Sequence, residues 1–133
     1  MVKISIALFI IAIIALSGCT GSTAGKNTAD GTVKIIPIMI AHTGYSPSTI
    51  TVNKGDFVKI QATTAVGTST HAHGITIDEY EINKRVTTED PSSPELIEFL
   101  ADKAGTFRIY CGTCKDGIFS TDHPKIEAKL IVK

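Results

Sequence analysis

Apolar positions are distributed along the chain in three different ways. Residues 4–16 (ISIALFIIAIIAL) form an almost wholly apolar run behind Lys3. A membrane-crossing helix takes about 18 or more such residues, so the run predicts the hydrophobic segment of a secretory leader instead. Residues 20–31 (TGSTAGKNTADG) have almost nothing to bury. They predict a flexible tether with a coil reach on the order of 20 Å. From Thr32 onward, short apolar or alternating runs are separated by turn residues. Strands are predicted over 33–40, 49–52 and 57–63, from 75–77, around Leu96 and Phe99, and over 106–110 and 126–132. Pro37 confines the first of these to a sheet edge or a bend. In the last, Ile126, Ala128, Leu130 and Val132 share one face. Turn chemistry marks 44–48 (GYSPS), 53–56 (NKGD) and 91–94 (PSSP). No segment holds a 3.6-residue period and there is no internal repeat. The expectation is an all-β domain, an antiparallel sandwich or barrel. A stretch of about 100 residues suffices for one such core.

Composition sharpens this reading. Thirteen basic residues balance 13 acidic ones, and no Lys/Arg cluster offers the basic face that a nucleic-acid backbone requires. Nucleic acid is therefore not an expected partner. Trp is absent and aromatics make up only 6%, so the core must be built from Ile, Val, Leu and Phe. That bias favours strands. The apolar leader runs into Leu16-Ser17-Gly18-Cys19. This resembles the bacterial lipobox, in which the leader is cut before a Cys that carries diacylglycerol. The implied organisation is a signal peptide over 1–18, a lipidated Cys19 with its tether over 19–31, and a folded domain over 32–133. The alternative is an uncleaved N-terminal anchor helix. Both place the domain outside the cytoplasm, on a membrane surface.

The distinctive chemistry rests on a few side chains. Beyond Cys19 the cysteines are Cys111 and Cys114, and the histidines are His42, His71, His73 and His123. Phosphate loops, a nucleophile elbow and a paired-His zinc motif are absent from the sequence, so an independent enzyme is not expected. Sulfur with imidazole selects copper or zinc. Zinc suits a Cys2His2 set, but this spacing is unlike that of zinc fingers. His73 opens a strand, Cys111 closes another, and His123 lies in the loop after it. One His from a distant strand with Cys and His from one loop is a way for a β-sandwich to build a copper site at one end. His71 shares the face of His73 if the strand has begun there, and is a possible additional ligand or an exposed loop residue. His42 is expected to be exposed before a turn.

Four segments carry a family resemblance. Residues 44–56 (GYSPSTITVNKGD) resemble the second-strand segment of cupredoxins. Residues 73–83 (HGITIDEYEIN) are similar to the first-ligand segment of the copper A domain of cytochrome oxidase subunit II. Residues 99–111 (FLADKAGTFRIYC) resemble the strand that delivers the first copper Cys, and 123–132 (HPKIEAKLIV) the closing segment. The resemblance implies a cupredoxin-like Greek-key β-sandwich or barrel. It implies copper, one ion or two, held by His73, Cys111, Cys114 and His123.

The metal loop departs from the family pattern. Cys114 comes one residue early, eight residues separate it from His123, and Ile126 stands at the Met position, where it cannot ligate. Three readings stay open. In one, a mononuclear site uses His73, Cys111 and His123. In another, Cys114 joins and two thiolates bind one or two coppers. In the last, Cys111 and Cys114 pair as a disulfide, leaving only histidines for copper. The expected function is one-electron transfer, with a redox protein as partner. The alternatives are a copper chaperone that meets a donor or acceptor, and a detached component resembling oxidase subunit II.

Overall fold

The computed structural model describes residues 31–67, 73–115 and 125–133. The leader, Cys19, the tether up to residue 30, His71 and His123 lie outside these residues.

Nine strands are described: β1 Val33–Ala41, β2 Gly44–Ser46, β3 Thr49–Val52, β4 Phe57–Thr64, β5 His73–Ile77, β6 Ile82–Val86, β7 Glu95–Leu100, β8 Gly105–Tyr110 and β9 Glu127–Val132. They form a four-stranded sheet in the order β2-β1-β4-β7 and a five-stranded sheet in the order β3-β9-β8-β5-β6. The chain crosses repeatedly between the two sheets, and the all-β sandwich expected from the apolar pattern is present. Alternation explains the core. Ile38 and Ile40 from β1 and Val58, Ile60 and Ala62 from β4 are buried, and they face Ile50, Val52, Leu130 and Val132 of the other sheet in one cluster. The face shared by Ile126, Ala128, Leu130 and Val132 is buried throughout.

The pairing corrects one expectation. The sandwich is mixed rather than antiparallel: β1 runs parallel to β4 from Val33–Phe57 to Ile40–Thr64, and β3 runs parallel to β9. Period-two alternation is the same in either direction, so the pattern could not distinguish them. Parallel partners need a long crossover. Here β2 and β3, the latter in the opposite sheet, fill the connection between β1 and β4. Pro37 lies where β1 has β4 on one side only, because β2 pairs with Met39, Ile40 and Ala41 alone. Strand β6 (INKRV) was not anticipated. Only Val86 of its five residues is buried, so its polar positions hid it.

The two ends of the sandwich differ. At the end where β1 begins, Asp56 is buried and accepts hydrogen bonds from Asn53 N (2.8 Å), Thr32 N (3.0 Å) and Thr32 Oγ1 (3.1 Å). The Asn53 amide first, then the Thr32 donors, hold the carboxyl below its ordinary range against the opposing effect of desolvation. A carboxylate depressed in the folded state stabilises the fold above its unfolded pKa and loses that contribution as pH falls through the folded value. The melting temperature should therefore fall on acidification below about pH 4. Asp56→Asn should lower it at neutral pH and flatten the acid dependence, as read by circular dichroism across a pH series.

Candidate metal centre

The opposite end gathers the imidazoles and sulfurs of the described residues. β1 and β2 form a hairpin in which Ala41 pairs with Gly44, leaving His42-Thr43 as a two-residue turn. Gly44 follows it at φ +146°, a conformation that favours glycine. The turn brings His42 over the mouth of the sandwich. His42 is half-buried, not exposed as expected, and its ring stands edge-on to that of His73 with centroids 5.1 Å apart and planes at 61°. Sequence spacing gave no warning of this contact, because the two residues belong to different sheets.

His73 begins β5 and is fully buried at 0% exposure. β5 lies between β8 and β6, and all five of its residues are buried. His73 alternates with the core residues Ile75 and Ile77, so it forms the end of the core face. Thr76 pairs with Tyr110 of β8. Cys111, the next residue, packs against the core cluster.

The segment after β8 rests on β5 and β6. Gly112 N donates to Thr76 Oγ1 at 3.0 Å, and that hydroxyl donates to Asn83 Oδ1 at 3.0 Å. A Cβ at Gly74 would collide with the Thr113 hydroxyl and come within 2.6 Å of the Lys84 carbonyl oxygen, so glycine permits this close approach. Just before the segment, Tyr110 OH donates to Asp78 Oδ1 at 2.8 Å and Arg108 lies 4.1 Å over its ring. The Asp78 bond raises the Tyr110 pKa.

Cys111 and Cys114 are joined as a disulfide, with Cα atoms 5.5 Å apart and Cys114 in a single 3-10 turn over Thr113–Lys115. This is the last of the three arrangements left open by the sequence. The sulfurs become thiolate donors only after reduction. Ile126, at the position where the family carries Met, is 6% exposed and belongs to the core. His71 and His123 lie outside the described residues. Among the described residues, no group of three His, Cys, Asp or Glu side chains could by itself hold a metal ion. The donor chemistry nevertheless suits copper: imidazoles at His42 and His73, and sulfurs at Cys111 and Cys114.

One hydrogen bond ties the two sheets together beneath this site. Tyr45 OH, from β2, donates to the carbonyl of Gly74, in β5, at 2.7 Å. Tyr45 is 6% exposed, and burial raises its pKa. From the sequence alone Tyr45 reads only as part of a turn, and nothing in the local pattern distinguishes it.

A two-sheet β-sandwich with imidazole and sulfur at one end defines a class, and sequence comparison agrees with it. The cupredoxin-like domain family matches residues 6–132, and the chain belongs to that family. No curated protein matches it in sequence. Among solved structures, the chain is similar to a heme-copper terminal oxidase, with 17% identity and a TM-score of 0.60 over 78% of this chain and 66% of that one. It is similar to the metal-binding domain of the Cu(I)-exporting P-type ATPase CopA of Streptococcus pneumoniae D39, solved with Cu(I). That match has 19% identity and a TM-score of 0.56 over 76% of this chain and 86% of that one. It also resembles subunit II of cytochrome c oxidase, captured in a mixed-disulfide intermediate with a thioredoxin-like protein. There the identity is 13% and the TM-score 0.54, over 74% of this chain and 80% of that one. These likenesses establish the fold.

Removing the clasp tests how the two sheets are held at this end. Tyr45→Phe should cost about 1–3 kcal/mol, because it leaves a buried carbonyl without its donor. Urea unfolding of the metal-free protein measures it.

Proposed function

We propose that the chain is an extracytoplasmic, lipid-anchored copper protein that carries single electrons. The observation that carries this reading is a fully buried His73 at the mouth of a cupredoxin-like sandwich, with Cys111 following the adjacent strand and packed against the same core. In this reading His73, Cys111, Cys114 and His123 hold one or two copper ions, and His71 is available as a further donor. Copper, when bound, supplies a one-electron couple between Cu(I) and Cu(II). The protein's part is rigidity. β5 is buried along its whole length, and the segment bearing Cys111 is fixed to it through Thr76. Ile126, a core residue, stands where the family resemblance expects Met and would supply no sulfur to a bound copper. In a blue site that loss raises the reduction potential.

The layout suits a tethered carrier. β1 begins beside Asp56 and ends at Ala41, so its nine residues separate Thr32 from the His42 end by about 25–30 Å, which suits a tether at one end and copper at the other. A lipid at Cys19 would then leave the copper end facing away from the membrane while raising the local concentration of membrane-bound partners. Val66, 87% exposed, follows β4 at the same end as His42 and offers an apolar contact for a small transient interface with a redox partner.

The disulfide favours a second reading, a copper-handling protein. Two sulfurs that bind soft Cu(I) only when reduced couple metal loading to a thiol reductant. The similarity to a Cu(I) exporter's metal-binding domain, and to an oxidase subunit captured with a thioredoxin-like protein, supports such partners.

Copper titration in both thiol states tests the proposal. The full chain with Cys19→Ser is examined by visible absorption and electron paramagnetic resonance (EPR). Once Cys111 and Cys114 are reduced, an intense thiolate-to-copper band should appear. A four-line spectrum would give a mononuclear site, and a seven-line mixed-valence spectrum a binuclear one. A carrier retains copper through redox cycles, whereas a chaperone yields Cu(I) to a chelator. The absence of a thiolate band from fully reduced protein would remove the proposed cysteine ligation.

A further inference from the structure

The edge-on pairing of His42 with His73 has a spacing compatible with two imidazoles sharing a metal. A metal ligated by imidazole lies about 2.0 Å from the nitrogen, and the ring centre lies about 1.1 Å further on, so the metal-to-centroid distance is about 3.1 Å. Two such ligands at a tetrahedral angle place their ring centres about 5 Å apart. The observed separation is 5.1 Å. We infer that His42 is a copper ligand alongside His73, forming an imidazole pair that holds Cu(II) while Cys111 and Cys114 are joined as a disulfide.

Several features support the pair as built geometry. His42 sits in a two-residue turn closed by the Ala41–Gly44 pairing, a short segment with little freedom to move its ring away. Tyr45, three residues on, is hydrogen-bonded to Gly74, the residue after His73. The clasp therefore fixes the turn to β5 at the point where the two rings meet. His73 is anchored in a fully buried strand, so most of the ligand ordering precedes metal binding. Two nitrogens do not complete a copper site, and the remaining positions go to solvent or to further donors of this chain.

This inference rests on the copper reading above, and the experiment separates the two. Cu(II) is titrated into the full chain carrying Cys19→Ser with the Cys111–Cys114 bond intact. Pulsed EPR counts the coordinated imidazoles, and competition with a chelator gives the affinity. The expected result is at least two imidazoles in the parent protein. His42→Phe keeps an aromatic ring against His73 and should lose one imidazole and more than about tenfold in Cu(II) affinity, since even outer-shell losses reach that range. An unchanged imidazole count and affinity in His42→Phe would overturn the inference while leaving copper binding standing. A parent protein that binds copper in neither thiol state overturns both.

If His42→Phe does not fold, the parent protein gives the answer by chemical modification. Diethylpyrocarbonate labelling of His42, mapped by mass spectrometry, should be suppressed when one equivalent of Cu(II) is bound. Labelling that persists at full copper occupancy overturns the inference.

Discussion

The bond from Tyr45 to the Gly74 carbonyl is the constraint on which the proposed metal-binding end depends. β2 and β5 belong to different sheets, and hydrophobic burial alone would hold those sheets together without fixing one strand end against another. A buried hydroxyl and carbonyl have a strong reason to stay paired, because leaving either unsatisfied costs more than the bond itself contributes. The clasp thus sets the position of the β1–β2 turn over β5. Everything chemically distinctive among the described residues lies around that contact: His42 and His73 directly, and Cys111 one residue beyond the Thr76–Tyr110 pairing.

The other end is held by a different device. Asp56 collects the amides of Asn53 and Thr32 and locks the start of β1 to the turn before β4. Between the two ends lies a core of aliphatic side chains, with β5 buried on both sides. The two ends of the domain are thus held by different devices, and the proposed copper site lies at the end that carries His73. An oxidised cysteine pair at the His73 end adds a second variable, since the same sulfurs would be available to copper only in the reduced state.

Much of the fold could be read from the residues. The alternation in 126–132, the turn at 53–56 and the edge position of Pro37 each follow from local chemistry, and each is found in the structure. The pairing directions were not legible, because a two-residue period does not encode them. β6 escaped because only Val86 of its residues is buried. At the site, the placement of His73 and Cys111 at strand ends could be inferred from the alternating runs beside them. The roles of His42 and Tyr45 could not: both act across the gap between sheets, 31 and 29 residues from their partners, and no spacing rule covers such contacts.

The central claim is that copper binds at the His73 end of the sandwich, and locating the ion tests it most directly. Crystals of the reduced, copper-loaded protein, measured at the copper absorption edge, would show an anomalous peak at the bound metal. The predicted peak lies within bonding distance of the His73 imidazole and of a Cys111 or Cys114 sulfur. A peak elsewhere on the domain, or none from protein shown to be copper-loaded in solution, would contradict the assignment of this end as the metal centre.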